Sequence, residues 1–128
     1  MNLSIGNPLR SRILSALAGL ALCSSASAEG ELKWTAAVGA LVKPEKFEVD
    51  KSNSDVGGVV VYVTYEMLRS CRSIAVFARS VSSTGVVLGE AAARHSDPQS
   101  GEKYRDMFIL PYQPGHSIVL NNAICVKV

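Results

Sequence analysis

The chain has 128 residues, 48% of them hydrophobic, and a formal net charge of +2 at pH 7. This length suits one small domain. So small a basic excess lacks the electrostatic footprint of a protein that binds nucleic acid or an anionic membrane surface.

The first 28 residues have the three parts of a secretory signal peptide. Arg10 and Arg12 form a basic region, residues 13–23 form an apolar run, and residues 26–28 read Ala-Ser-Ala, a small-residue cleavage site. The apolar run has 11 residues, whereas a helix needs about 20 to cross a bilayer. The sequence therefore predicts a cleaved leader at residues 1–28 and no integral membrane span.

Cleavage at this site would leave a domain of residues 29–128 in the periplasm or outside the cell. The two arginines of the leader leave with it, so eleven basic and eleven acidic residues remain, and the formal net charge is zero. Cys23 ends the apolar run and would offer a lipid anchor, but Leu22 stands before it, where a lipoprotein signal has a small residue. We therefore expect a periplasmic or secreted protein without a lipid anchor.

Residues 29–128 alternate between apolar and polar side chains in seven segments, the pattern of half-buried strands. The predicted strands cover residues 31–42, 45–50, 59–68, 71–81, 86–94, 104–110 and 117–128. In the first strand the alternation places Trp34 in the core. Alanine and glutamate in residues 89–95 would also suit a helix, but one of only two turns without a cap. The pattern predicts an all-β fold, a single small antiparallel β-sandwich of about seven strands.

The two cysteines that remain after the leader are expected to form one disulfide. An even number of cysteines in an exported chain is typical of disulfide bonding. No C-x-x-C motif is present, and neither Cys71 nor Cys125 has a histidine close in sequence, which favours a structural bond over a reactive thiol. Strand alternation places Cys125 on the other face of the last strand from Ile118 and Leu120. The bond would then join neighbouring strands or lie at a sheet edge. A bulge at residues 121–122 would reverse that parity.

Two segments of the domain resemble small bacterial immunoglobulin-like modules of the FxLyD type. The first segment is a turn followed by a G-x-V-L-G strand, and the second is a Pro/Gly turn followed by an apolar strand. The matching residues are Gly85, Val87, Leu88 and Gly89 in the first segment and Gly101, Glu102, Phe108 and Leu110 in the second. Residues 97–100 read Asp-Pro-Gln-Ser, where the family has a leucine before its turn.

The end of the chain is similar to the L-x-P-G turn and following strand of fibronectin type III domains. The matching residues are Leu110, Pro114, Gly115 and Ile118. Together these resemblances cover about half of the domain. They imply an immunoglobulin-like sandwich that holds or presents a binding surface, and such a fold alone fixes no function.

The candidate binding residues lie in two loops. His95, Ser96 and Asp97 supply the residue types of a hydrolase triad, but adjacent side chains point apart, and a triad needs each group oriented by the next. His116 follows a glycine in a turn. Tyr112 stands between two prolines, where its ring would either anchor a partner or pack over the end of the sandwich. Two histidines are too few for a zinc site, and no phosphate loop or calcium motif is present, so we expect neither metal nor cofactor.

These observations favour an exported, non-enzymatic protein-binding module. We expect its partner to be another envelope or secreted protein, as for an inhibitor, an immunity protein or an accessory subunit of an envelope assembly. Binding would use the loops 95–103 and 111–116 or an open strand edge. One alternative is a small secreted hydrolase that uses His95 or His116. Another is a sugar- or small-ligand-binding protein with an exposed aromatic residue such as Tyr62.

Overall fold

A computed structural model describes residues 22–27, 30–50 and 58–128 of the chain. In chain order its elements are β1 (Leu22–Ser27), β2 (Gly30–Thr35), α1 (Ala36–Gly39), β3 (Val42–Asp50), β4 (Val59–Met67), β5 (Ser73–Val81), β6 (Val87–Ser96), β7 (Lys103–Leu110) and β8 (Ser117–Val126). The seven strands from β2 onward confirm the predicted number, and residues 89–95 lie in a strand, as predicted. Within the described ranges, no helix is long and apolar enough to cross a membrane.

The strands form two sheets, which confirms the predicted sandwich. The larger sheet has the order β1-β2-β8-β5-β6 and the smaller sheet has the order β3-β4-β7. Strand pairs are antiparallel except β2 and β8, which run parallel from Glu31 opposite Ser117 to Trp34 opposite Leu120. This pairing differs from the wholly antiparallel sandwich that the sequence predicts. Almost the whole domain separates β2 from β8 along the chain, and it provides the long crossover that a parallel pair needs.

The predicted first strand, residues 31–42, is interrupted by α1, and the prediction is wrong for its second half. Thr35 caps this helix, since its hydroxyl oxygen accepts a hydrogen bond from the backbone N–H of Val38 at 3.2 Å. Val38 and Val42 are both fully buried. Their spacing of four residues satisfies the period of a helical turn as well as the period of a strand, so alternation alone does not distinguish the two.

The core lies between the two sheets. Its buried members are Leu32, Val38, Val42, Phe47, Val61, Val63, Tyr65, Met67, Cys71, Ile74, Val76, Ala78, Phe108, Leu110, Ile118 and Leu120. Trp34, predicted to be in the core, is partly buried and packs against this cluster. All of these residues lie at position 32 or beyond, so residues 29–128 contain this whole core without β1.

A bulge in β8 decides which side chains of the last strand face the core. Asn122 pairs with Phe77 and Leu120 pairs with Ala78, so Asn121 is the extra residue between them. The bulge reverses the parity that simple alternation predicts for the end of the strand. Cys125 consequently packs against the core, while Ile124 is 51% exposed.

The predicted disulfide between Cys71 and Cys125 is present, with 5.6 Å between the two Cα atoms. Cys71 is fully buried in the connection from β4 to β5, and its backbone N–H donates to the carbonyl of Pro98 at 3.0 Å. Cys125 lies on β8, which pairs with β5. The bond thus ties the connection before β5 to β8, the strand that pairs with β5, and it indicates an oxidising environment.

Candidate functional site

The strand register divides the candidate residues between two ends of the sandwich. Val81 lies opposite both Val87 and Ser117, whereas Ser73 lies opposite both Ser96 and Val126. Residues 82–88 and 111–116 therefore share one end, called the hairpin end below. Residues 68–72 and 97–102 share the other, called the disulfide end. His95 and Asp97 lie toward the disulfide end and Tyr112 and His116 at the hairpin end, so the two predicted binding loops do not form one surface.

A buried hydrogen-bond network surrounds Asp106 where β6 meets β7. The Nε2 atom of His95 lies 2.7 Å from one carboxylate oxygen of Asp106. The hydroxyl of Tyr65 donates to the other oxygen at 2.5 Å. Asp106 is only 6% exposed, and the imidazole of His95 stacks on the ring of Tyr104 with centroids 3.7 Å apart. These contacts join both sheets along one side of the sandwich.

The Asp106 carboxylate is the acceptor that both Tyr65 and His95 share. Burial, and then the hydrogen bond to Asp106, raise the pKa of Tyr65 far above its ordinary value, so Tyr65 stays neutral and donates. The Asp106 carboxylate only accepts, so Nε2 of His95 carries the proton toward it. Both carboxylate oxygens of Asp106 thereby have a hydrogen-bond partner, and the network links β7 to β6 and β4.

Raising the pH above about 10 is expected to destabilise the fold through Tyr65. A tyrosine whose pKa is higher in the folded than in the unfolded state contributes its full stabilisation below the unfolded value of 10.0. Above that pH its contribution to the free energy of unfolding falls progressively. The loss is about 1.4 kcal/mol per pH unit for one proton. We expect Tyr65→Phe to remove this slope when the free energy of unfolding is measured from about pH 8 to about pH 11.

Tyr62→Phe is the matched control for this measurement, because Tyr62 lies on the outer face of the smaller sheet beneath the guanidinium of Arg105, 3.8 Å away. The control should keep the wild-type slope. Equal slopes in wild type and Tyr65→Phe would contradict the assignment of a neutral, donating Tyr65.

The sequence neighbours His95, Ser96 and Asp97 do not form a catalytic triad. The backbone N–H of Asp97 donates to the carbonyl of Arg72 at 2.8 Å, and the Asp97 side chain is exposed. Within the part of the chain that the structure describes, the His95 ring bonds to Asp106 and to no serine, threonine or cysteine. The acidic partner of His95 is a residue that sequence reasoning missed. Its signal was the position of Asp106 on the inward, apolar face of β7.

The loop after His95 is held by hydrogen bonds to one carboxylate. Glu102 accepts from the backbone N–H of Gln99 at 2.7 Å and from the hydroxyl of Tyr104 at 3.0 Å. These two donors lower the pKa of Glu102. The loop 97–102 is therefore an ordered, polar turn. Exposed apolar side chains lie beside it at Leu68, Ile124 and Val126, and a depression of about 560 Å³ lies next to Cys125.

The predicted residues at the hairpin end hold the loop 111–116 in place. The ring of Tyr112 packs edge-on against Phe47, with centroids 5.8 Å apart, and lies 6.0 Å from the ring of His116. Nδ1 of His116 accepts a hydrogen bond from the backbone N–H of Gln113 at 3.1 Å. Tyr112 therefore packs over the end of the sandwich, and His116 closes a turn.

Apolar side chains cover the neighbouring part of the hairpin end. Val86, Val87 and Leu88 are 56%, 49% and 39% exposed, although they are consecutive in sequence. Leu88 lines a depression of about 530 Å³ whose other wall includes Tyr112 and His116.

A second, wider groove begins on the other side of Val87. It lies on the outer face of the larger sheet, has a volume of about 790 Å³, and is lined by Lys33, Arg79 and Val119 among others. The side chain of Arg79 pairs with Glu90 beside it. The exposed valines thus stand between an apolar depression and a groove with charged walls.

Gly89 allows this end of β6 to lie against the loop 111–116. A Cβ atom at position 89 would stand 2.6 Å from Cδ of Pro111, so only glycine fits there without a shift. This contact fixes the exposed valines relative to Tyr112 and His116.

The described part of the chain holds no group of three or more histidine, cysteine, aspartate or glutamate side chains that could bind a metal ion. Comparisons of the chain with protein-family models, with curated proteins and with solved structures find no match.

Proposed function

We propose that the protein is an exported, non-enzymatic binding module of the cell envelope, periplasmic or secreted, that docks another protein through its hairpin end. The observation that carries the proposal is the run of exposed apolar residues from Val86 to Leu88. Exposed apolar surface with a polar rim is typical of protein-binding sites. The signal-peptide pattern and the disulfide between Cys71 and Cys125 support export.

The shape of the hairpin end suits a partner with one protruding apolar side chain. The depression between Leu88 and Tyr112 would receive that side chain, while Arg79 in the adjoining groove would meet polar groups at the rim. The loop is held by its own packing before any partner binds, so little conformational freedom is lost on docking.

Replacing the three apolar residues should weaken binding without unfolding the domain. We expect the triple variant Val86→Ser, Val87→Ser, Leu88→Ser to lose at least tenfold in affinity, because interface hot spots contribute about 2 kcal/mol or more. Immobilised residues 29–128 capture partners from envelope and secreted fractions. The purified partner is then titrated against wild type and the triple variant to measure both affinities.

Met107→Ser with Ile109→Ser is the matched control, because these residues are 53% and 40% exposed but lie on the outer face of the smaller sheet. The control should bind like wild type. Equal loss in both variants, or none in the triple variant, would contradict docking at the hairpin end.

The pairing of His95 with Asp106 is the one observation that favours the hydrolase alternative, since an oriented imidazole is part of many hydrolytic sites. The stacked ring of Tyr104 covers one face of that imidazole. A nucleophile bonded to it is missing from the described residues, which supports the structural role. The small-ligand alternative has less support, because the guanidinium of Arg105 already occupies the face of Tyr62.

A further inference from the structure

The edge of β2 is paired only by a segment that belongs to the predicted leader. β1 runs antiparallel to β2 over six residue pairs, from Leu22 opposite Thr35 to Ser27 opposite Gly30. Cleavage after residue 28 would remove β1 and with it the antiparallel strand that pairs with residues 31–35. An open edge of this kind is a template for another strand.

Features elsewhere in the sandwich make β2 the most accessible edge. β3, the edge strand on the same side, contains Pro44 and an irregular register between Pro44 and Lys46. Proline and bulges both hinder edge pairing. On the opposite side, β6 and β7 are joined by the contact between His95 and Asp106. β2 has neither proline nor a bulge in its pairing with β1.

Side-chain alternation and charge select a second copy of β2 as the occupant of this edge. Leu32 is buried, whereas Glu31 and Lys33 point to the outer face, with their charged atoms 3.4 Å apart. Two copies paired antiparallel about Leu32 would place Glu31 of each opposite Lys33 of the other, and opposite charges in such pairs stabilise a sheet.

The neighbouring registers are all less favourable. A shift of two residues would bring Lys33 opposite Lys33, or Glu31 opposite Glu31, and like charges directly opposite destabilise a sheet. A shift of one residue would place the buried face of one copy against the outer face of the other. Charge and parity therefore specify one register.

We propose that the mature domain forms a two-fold dimer by antiparallel pairing of β2 with β2, centred on Leu32. The proposal rests on the export proposed above, because it requires removal of β1. The pairing joins the two larger sheets into one sheet of eight strands, four from each copy. It also points the two hairpin ends in opposite directions, so each remains free for a partner.

The dimer should dissociate on dilution. β2 has six residues, far fewer than the roughly 20–30 residues per side of a standard interface. Sedimentation of residues 29–128 over a wide concentration range measures the association. We expect Glu31→Lys and Lys33→Glu, each alone, to weaken it by about tenfold or more, because each change makes two opposing pairs repulsive.

Two rescues distinguish edge pairing from general loss of charge. An equimolar mixture of the two single variants should associate, since an acidic strand then meets a basic one, and the double variant Glu31→Lys, Lys33→Glu should regain wild-type association. A domain that stays monomeric at every concentration, or a dimer that both single variants leave unchanged, would overturn the proposal.

A second experiment separates this proposal from the proposal of export. N-terminal sequencing of the protein from its source cells reports whether cleavage occurs, and an uncleaved chain would overturn both export and the dimer in the cell. Residues 29–128 test the edge itself, because they contain the described core. Unchanged melting temperatures of the variants would show that charge, and not folding, is what differs.

Discussion

Removal of the disulfide is expected to lower the free energy of unfolding by about 4 kcal/mol, from the closure entropy of a loop of this length. Cys71 and Cys125 are 54 residues apart, and their bond ties the connection before β5 to β8. A small domain has only about 5–15 kcal/mol in total. The double variant Cys71→Ala, Cys125→Ala of residues 29–128 should therefore melt about 20 °C below the oxidised wild type.

A reductant provides the control for this prediction. It should lower the melting temperature of wild type toward that of the double variant and leave the double variant unchanged. A loss below about 1 kcal/mol would contradict a main stabilising role for the bond.

Asp106→Ala is expected to cost about 3 kcal/mol, the second large effect. The change leaves the hydroxyl of fully buried Tyr65 without its acceptor and removes the partner of His95. Leaving a buried donor without its acceptor costs about 1–3 kcal/mol. Two donors lose their acceptor here, and the His95 side chain is only 24% exposed, so we expect a loss at the upper end of that range. Chemical denaturation at about pH 7 measures the difference.

Glu90→Ala is the matched control, since it removes a carboxylate that pairs with Arg79 on the surface. Surface pairs contribute about 0–1 kcal/mol. Similar losses for the two variants would mean that the network around Asp106 adds no more than a surface contact.

Alternation predicted the strands because most of them have one face on the core and one in solvent. It failed at residues 36–41, which form α1 and the turn after it, because the spacing of Val38 and Val42 fits a helical turn as well as a strand. The bulge at Asn121 was recognised as an alternative, but the local sequence did not decide whether it forms. Its presence depends on pairing with Phe77 and Ala78 in another strand.

The candidate sites depended on contacts that no local pattern contains. Alternation along β7 places Asp106 on the inner face, yet its partners Tyr65 and His95 are 41 and 11 residues away in sequence. The hairpin end likewise combines Leu88 of β6 with Tyr112 of the connection from β7 to β8. Sequence identified Tyr112 and His116 as candidates but not the exposed valines beside them.

Site-specific crosslinking tests most directly whether the hairpin end binds a protein. A photoreactive amino acid at position 87, in the exposed apolar run, is activated in the source cells, and a second protein carries it at position 107 on the other sheet. We predict one dominant crosslinked partner from position 87 and none from position 107. Equal crosslinking from both positions, or none from position 87, would contradict the proposed binding surface.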